Sequence, residues 1–420
     1  MSILIKNATI ISPQSKLHKT QKDILIKKGV ITKIANRVTD AKAKVISAPN
    51  LHVSLGWVDI GATSGEPGFE HRESLDSLTK TAAAGGYTDI AIFPNTQPVI
   101  DNKSSLQYIL NATSNHTVTY HPIGAISKNC EGQDITEMMD MTANGAVAFS
   151  DGLKSIQSNR LMLRALEYIK SIDKLIIHVP DDPSISHGND IHEGKVSTSL
   201  GLKASPSLSE ILTVERDMQL ADYAESKLLV HGISAKESVV KIIAQKSKNI
   251  FSSVNYLNLC LTEDAIASFN SNCKVSPPLR AKEDQAILIK AINTGSIDII
   301  ASNHVPLEEE HKKKEFTYAK SGAIGLQTCF SGLVTFAENI KLEKIVNCLA
   351  VKSRTILGLK VPEIEVGAEA HLTLFDPTGE WTFDQKTNTS KSKNSPFWNQ
   401  KLKGKVIGIV NGKHSHFNAY

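Results

Sequence analysis

The chain has 420 residues, of which 41% are hydrophobic and 21% charged, and its formal net charge is +4. These are ordinary proportions for a soluble globular protein, and the length predicts one large, barrel-sized domain with a smaller satellite. The small net charge, without a basic face interleaved with aromatics, argues against a nucleic-acid partner; the lack of any apolar run near the ~20 residues of a bilayer span argues against a membrane protein.

The first fifty residues read as short strands. Residues 3–11 are rich in β-branched side chains, and residues 23–34 form two apolar runs split by Lys27, Lys28 and Gly29, a hairpin signal. The N-terminus lacks the basic-then-apolar layout of a signal peptide. The end of the chain is similar in style, with strand-like runs at 370–376 and 406–413. Two β-rich ends around a long middle predict one small β-sandwich-like domain from residues 1–52 and 366–420, flanking a central unit over 53–365.

The middle alternates short apolar strands (89–93, 175–178, 297–301) with longer helical patterns. One helix is expected over 208–224, with Leu208, Ile211, Leu212, Met218 and Ala221 on a helical repeat, followed by a strand at 227–231. Strand–helix alternation implies a parallel sheet. Asp59, Asn95, Asp151, His178, His231 and Asn303 fall at expected strand C-terminal ends, the face that carries chemistry in a (β/α)8 barrel. The run Glu308 to Glu315 mixes lysines with acids and reads as a solvated loop or helix face. Residues 386–394, polar and rich in Ser, Thr and Lys, are expected to be the least ordered. Five scattered cysteines (Cys130, Cys260, Cys273, Cys329, Cys348) form no C-x-x-C pair. They read as core thiols in a reducing compartment, with a cytoplasmic location expected.

Several blocks recur in an order that is more specific than any one of them. They are Gly56, Asp59 and Glu66-Pro67-Gly68; Ala82 to Thr88 followed by Phe93-Pro94-Asn95-Thr96; Phe149-Ser150-Asp151-Gly152; Lys274 to Arg280; Gly322 to Thr328; and Ser390 to Phe397. Together they resemble the dihydroorotase family of the amidohydrolase superfamily over nearly the whole chain. The resemblance implies a TIM-like (β/α)8 barrel of the metal-dependent hydrolase type and a role in pyrimidine biosynthesis. It is nearest the branch in which an aspartate, Asp151 here, replaces a carboxylated lysine.

Opening or closing a cyclic amide needs a nucleophilic hydroxide and a polarised carbonyl, both of which zinc supplies, and a carboxylate to carry the proton. The family's opening motif reads P-G-F-V-D-x-H-x-H-x-R-E-P-G. At the two histidine positions this chain has Gly61 and Thr63, and at the arginine position Gly65. The family's T-D-H-A-P-H reads Ser302-Asn303-His304-Val305-Pro306-Leu307, so Asn303 occupies the general-base position and Leu307 that of a substrate-facing histidine. Its P-H-H-L run is Tyr256-Leu257-Asn258-Leu259, while Ala82 to Thr88 and Phe93 to Pro98 resemble its A-A-x-G-G-x-T…M-P-N-T-x-P block. Three of the four ligands at the main metal site are lost: Gly61, Thr63 and Asn303. Asn95 remains as the substrate-binding candidate.

Asp151, His178 and His231 match the residues that hold a second metal in binuclear relatives. Two imidazoles and a carboxylate can hold one Zn2+ with water as the fourth ligand; the other reading is that these side chains are relics that hydrogen-bond among themselves. His52 and His71 flank the emptied motif at unsuitable spacing. His187 and His192 lie in a polar segment that reads as mobile surface or a lid. Asn95 also suits a turn, and Arg280 is as readily a structural anchor as a binding residue. If a carboxylate substitutes for Asn303, Asp181 and Asp182 are the near candidates by sequence.

The resemblance implies a catalytically impaired or inactive dihydroorotase homologue, a non-catalytic partner of aspartate carbamoyltransferase, in a homodimer or hetero-complex. The alternative is an active dihydroorotase or other cyclic amidohydrolase using one residual metal. A third reading is a binding module for a pyrimidine precursor. Gly61→His, Thr63→His and Asn303→Asp together are expected to restore zinc affinity at the main site.

Overall fold

In the computed structural model, residues 2–188, 191–245 and 247–419 are described. The β-branched start of the chain forms β1 (Ser2–Ile11), and the Lys28-Gly29 turn joins β2 (Gln21–Lys27) to β3 (Val30–Ala35) as an antiparallel hairpin. β1 is long enough to serve two parallel neighbours. Its first half pairs with β4 (Lys44–Ile46) and its second half with β5 (His52–Leu55).

A single residue, Gly56, separates β5 from β6 (Trp57–Ala62), which enters the barrel. There follow β7 (Tyr87–Ile92), β8 (Thr119–Pro122), β9 (Leu175–His178), β10 (Lys227–Val230), β11 (Ile250–Asn255) and β12 (Ile299–Ala301). β6–β8 and β9–β12 form two parallel sheets. Phe149 joins them, bridging Gly124 on one side and Ile176 on the other, and so takes the place of a fourth strand. The opposite seam closes through Asp59, whose carboxylate accepts the N–H and the hydroxyl of Ser302, each at 2.7 Å. Eight strand positions thus curl around an interior that includes Val58, Ala91, Phe93, Ile177, Leu229 and Ile299. This is the TIM-barrel architecture.

The chain then returns to the first sheet. β13 (His371–Phe383) pairs antiparallel with β5, and β14 (Gln400–Asn411) and β15 (His414–Phe417) extend it. Strands from both ends of the chain share one eight-stranded sheet.

Two expectations need correction. The helix over Leu208–Ala224 forms, but Leu208 and Leu212 are 50% and 44% exposed. Its buried face carries Glu210 and Asp217 along with Val214, Met218 and Ala221. Each carboxylate meets a specific donor inside, so the inward face takes in Met218 and Ala221 of the apolar repeat together with two acids, and leaves Leu208 and Leu212 outside. The 386–394 segment is not loose. Ser390, Ser392 and Asn394 are buried; Ser390 bonds Glu73, and Asn394 donates to the carbonyls of Val305 and Gly322. Its polar residues satisfy backbone groups of other loops, which composition does not reveal. All five cysteines are buried and unpaired. Among the described residues no helix is long and apolar enough to cross a membrane.

Candidate functional site

The strand ends of the barrel open on a cavity of about 460 Å³ whose walls include Phe93, His231, Asn255, Pro277 and Asn303. His178 ends β9, and the residue after β10, His231, donates its backbone N–H to the His178 carbonyl at 2.8 Å. Asn303 lies two residues past β12 in a left-handed conformation, φ 46°. A larger cavity, about 800 Å³, takes in Leu307 and Asn394 but none of the other strand-end residues.

Two of the three candidates for a second metal site, His178 and Asp151, are spent on the protein, and the third, His231, is bonded through Nδ1. Nε2 of His178 accepts the N–H of Ile156 at 2.7 Å, and Nδ1 lies 2.5 Å from Asp217, which Arg216 clamps in turn. This fixes the tautomer with the proton on Nδ1, and the Nε2 lone pair that a metal requires is already used. Asp151 accepts N–H bonds from Ile126 at 3.0 Å and Ser127 at 2.9 Å, and a third bond from the Ser127 hydroxyl. Burial nonetheless raises its pKa above the ordinary carboxylate value, against the pull of those donors. His231 bonds Ser253 through Nδ1 at 2.9 Å, and burial pushes its pKa down to about 4. Its ring makes a T-shaped contact with the Phe93 ring, with centroids 5.3 Å apart. Among the described residues no group of three or more His, Cys, Asp or Glu side chains is placed to hold a metal ion. The residues present therefore do not fit the family's zinc, at the main site or at the second.

At the main site the vacated positions are not open. Gly61 forms a bulge where β6 slips against β7, with φ +91°. A Cβ there would lie 2.8 Å from His231 Nε2 and 2.8 Å from a Phe93 ring carbon, closer than real Cβ contacts allow. Thr63 turns its hydroxyl to the carbonyl of His304 at 2.9 Å, beside its own backbone bond to the same oxygen. Asn303 donates to the Ser276 carbonyl at 3.0 Å. At Gly65 a Cβ would meet the carbonyl oxygens of Phe69 and Glu73 at 2.3 and 2.4 Å, so the turn has closed over the arginine position. The expected rescue by Gly61→His, Thr63→His and Asn303→Asp is thus corrected: position 61 has no room for an imidazole.

Asn95, expected at the substrate, instead pins the 151–153 turn. Its Nδ2 donates to the Asp151 carbonyl at 3.0 Å and its Oδ1 accepts from the Leu153 N–H at 2.9 Å. Asp59 is wholly buried in the barrel seam, and burial pushes its pKa up to about 6 against the Ser302 bonds. Arg280 is a structural anchor, 4% exposed, between Glu210 and the Ser234 hydroxyl. Asp181 reaches the cavity, but both its oxygens accept serine hydroxyls, from Ser209 and Ser186; Asp182 caps the short helix that follows. His52 stacks on Phe375 in the sheet of the chain ends, and His71 lies near Glu308. His192 meets Arg280 at 3.3 Å and His187 is exposed, while Asn189 and Asp190 between them lie outside the described residues. Three residues that matter were missed: Phe93, Asp217 and Ser127. Only Phe93 left a signal, as the departure from methionine in the motif before Pro94.

The family described as "Dihydro-orotase-like" matches residues 52–238. The chain is 35% identical to the dihydroorotase of Syntrophus aciditrophicus, over 98% of this chain and 99% of that protein. It is likewise 35% identical to the dihydroorotase of Acetivibrio thermocellus, with 98% of each covered. Among solved structures, the L-hydantoinase (dihydropyrimidinase) of Arthrobacter aurescens superposes with a TM-score of 0.85 at 22% identity, over 99% of this chain and 97% of that one. The dihydropyrimidinase of Brevibacillus agri gives 0.82 at 20% identity, over 99% and 95%. At such identities the structural likeness speaks for the fold.

Proposed function

Because the chain belongs to the dihydroorotase family, we propose that it is a homologue of that pyrimidine-biosynthesis enzyme whose barrel no longer catalyses, and that it serves as a non-catalytic partner of aspartate carbamoyltransferase. The observation that carries the first half is the state of the donors. Cyclic amide hydrolysis requires a group that takes a proton and one that activates water. Asn303 offers an amide, which does neither at neutral pH. The one carboxylate among the described residues lining the cavity is Asp181, and serine hydroxyls occupy both its oxygens. The imidazole and carboxylate lone pairs at His178 and Asp151 are committed to backbone N–H groups.

The second half is supported by the outside of the barrel. Leu208, Leu212 and Tyr223 fall on one stripe of their helix and are 50%, 44% and 76% exposed; Val240 and Ile243 are exposed on the helix packed beside it. Exposed apolar side chains on adjacent helices suit a protein–protein interface. Co-elution with the host's aspartate carbamoyltransferase in size-exclusion chromatography tests it. Separate elution of both proteins at micromolar concentration contradicts the partnership. The enzymatic alternative, a cyclic amidohydrolase with one metal, predicts turnover that His178→Ala abolishes.

A further inference from the structure

Phe93 follows directly on β7, and its backbone N–H donates to the Ala62 carbonyl at 2.9 Å, tying the two strand ends together beside Gly61. Its ring is 1% exposed. Two ring atoms, Cε2 and Cζ, lie 2.8 and 2.9 Å from where a Cβ on Gly61 would stand. The ring also packs in a T-shaped contact against His231. In the motifs that this chain resembles, position 61 holds a histidine and position 93 a methionine. Methionine is unbranched and yields to its neighbours; a phenyl ring demands a fixed volume. A glycine opposite a phenylalanine supplies that volume.

We infer that Gly61 and Phe93 are a complementary small-for-large pair, in which the Phe93 ring seals the space of the missing metal ligand and turns a metal chamber into packed core. This rests on the non-catalytic reading and goes beyond it, since loss of ligands alone would leave a reversible vacancy. Phe93 makes the change structural. Ligands put back without removing the ring have nowhere to go.

A double-mutant cycle tests the pair. Gly61→Ala is made in the parent and in a Phe93→Ala background, and thermal unfolding is followed. The cost of a left-handed alanine at position 61 is common to both backgrounds and cancels, so the coupling reports the contact. The inference expects a large fall in Tm in the parent and a smaller one beside Phe93→Ala; the His231 Nε2 contact at 2.8 Å remains in both backgrounds. Equal falls overturn it. A second measurement covers the case in which Gly61→Ala fails to fold. Zinc binding by equilibrium dialysis is compared between Gly61→His/Thr63→His/Asn303→Asp and the same variant carrying Phe93→Met. The added change is expected to raise zinc affinity by roughly tenfold or more, or to rescue folding if the first variant is insoluble. Equal binding, whether both bind or neither does, overturns the role of Phe93. Neither result bears on catalysis by the parent, which a turnover assay decides separately.

Discussion

The backbone N–H of Ile156 donates to Nε2 of His178 across 2.7 Å, while the opposite nitrogen faces Asp217 at 2.5 Å. An imidazole held this way is a cross-brace between the loop at Ile156 and the Leu208–Ala224 helix. Removing it takes one partner from the buried Asp217 carboxylate, which keeps Arg216, and leaves the buried Ile156 N–H unpaired, both at a cost. His178→Ala is predicted to lower stability by about 3 kcal/mol and to leave zinc content at the parent's level. Urea unfolding and metal analysis of the purified variant check this. Lost zinc with unchanged stability would contradict it.

Asn95 is predicted to act on the 151–153 turn and not on a ligand. Both ends of its amide are engaged there. Asn95→Ala should cost about 1–3 kcal/mol, with faster hydrogen exchange at the Leu153 amide. Unchanged protection at Leu153 would refute the bracing role.

Gly65 is predicted to tolerate no side chain. Two carbonyl oxygens stand within 2.4 Å of its would-be Cβ, and both belong to the backbone. Gly65→Ala should lower stability by about 1–3 kcal/mol, measurable as a fall in Tm. Gly65→Arg, which restores the family residue, should do worse. A Gly65→Arg protein as stable as the parent would mean that the turn is adaptable.

Acid should act on the barrel through His231. Its pKa falls from an ordinary 6.5 to about 4 because burial disfavours the cation. Between those values the unfolded chain binds more protons than the folded one. The stabilising contribution is therefore complete above pH 6.5 and is lost as pH falls toward 4, by about 3 kcal/mol in all. Asp59 works in the opposite sense. Its raised value of about 6 means that the folded state binds more protons between 3.8 and 6, so the fold gains there on acidification. Comparison with His231→Gln separates the two. The variant should lose less stability than the parent between pH 7 and pH 5 in equilibrium unfolding, and an equal loss would show that His231 does not titrate as described.

Much of the fold was legible because its signals are local. The Lys28-Gly29 turn, the β-rich ends and the strand–helix alternation each follow from short-range chemistry, and the ordered motifs fixed the barrel. The departures from the family's motifs at Gly61, Thr63 and Asn303 were legible too, since these residues stand in a recognisable frame. What remained hidden depends on partners far apart in sequence. Nothing near His178 announces that Ile156 and Asp217 will take its two nitrogens. Nothing near Asn394 says that it will serve the carbonyls of Val305 and Gly322. The inward face of the Leu208–Ala224 helix was legible only in part, because Glu210 and Asp217 are buried by pairing, which hydrophobic periodicity does not register. Phe93 was visible as a substitution, but its meaning needed the position of Gly61 across the strand pair.

We propose that this dihydroorotase-family barrel neither holds the family's metal nor turns over its substrate. Turnover of dihydroorotate and carbamoyl aspartate by the pure protein with added zinc tests it most directly. The account predicts no rate above a zinc-only blank. Any rate above that blank would contradict it.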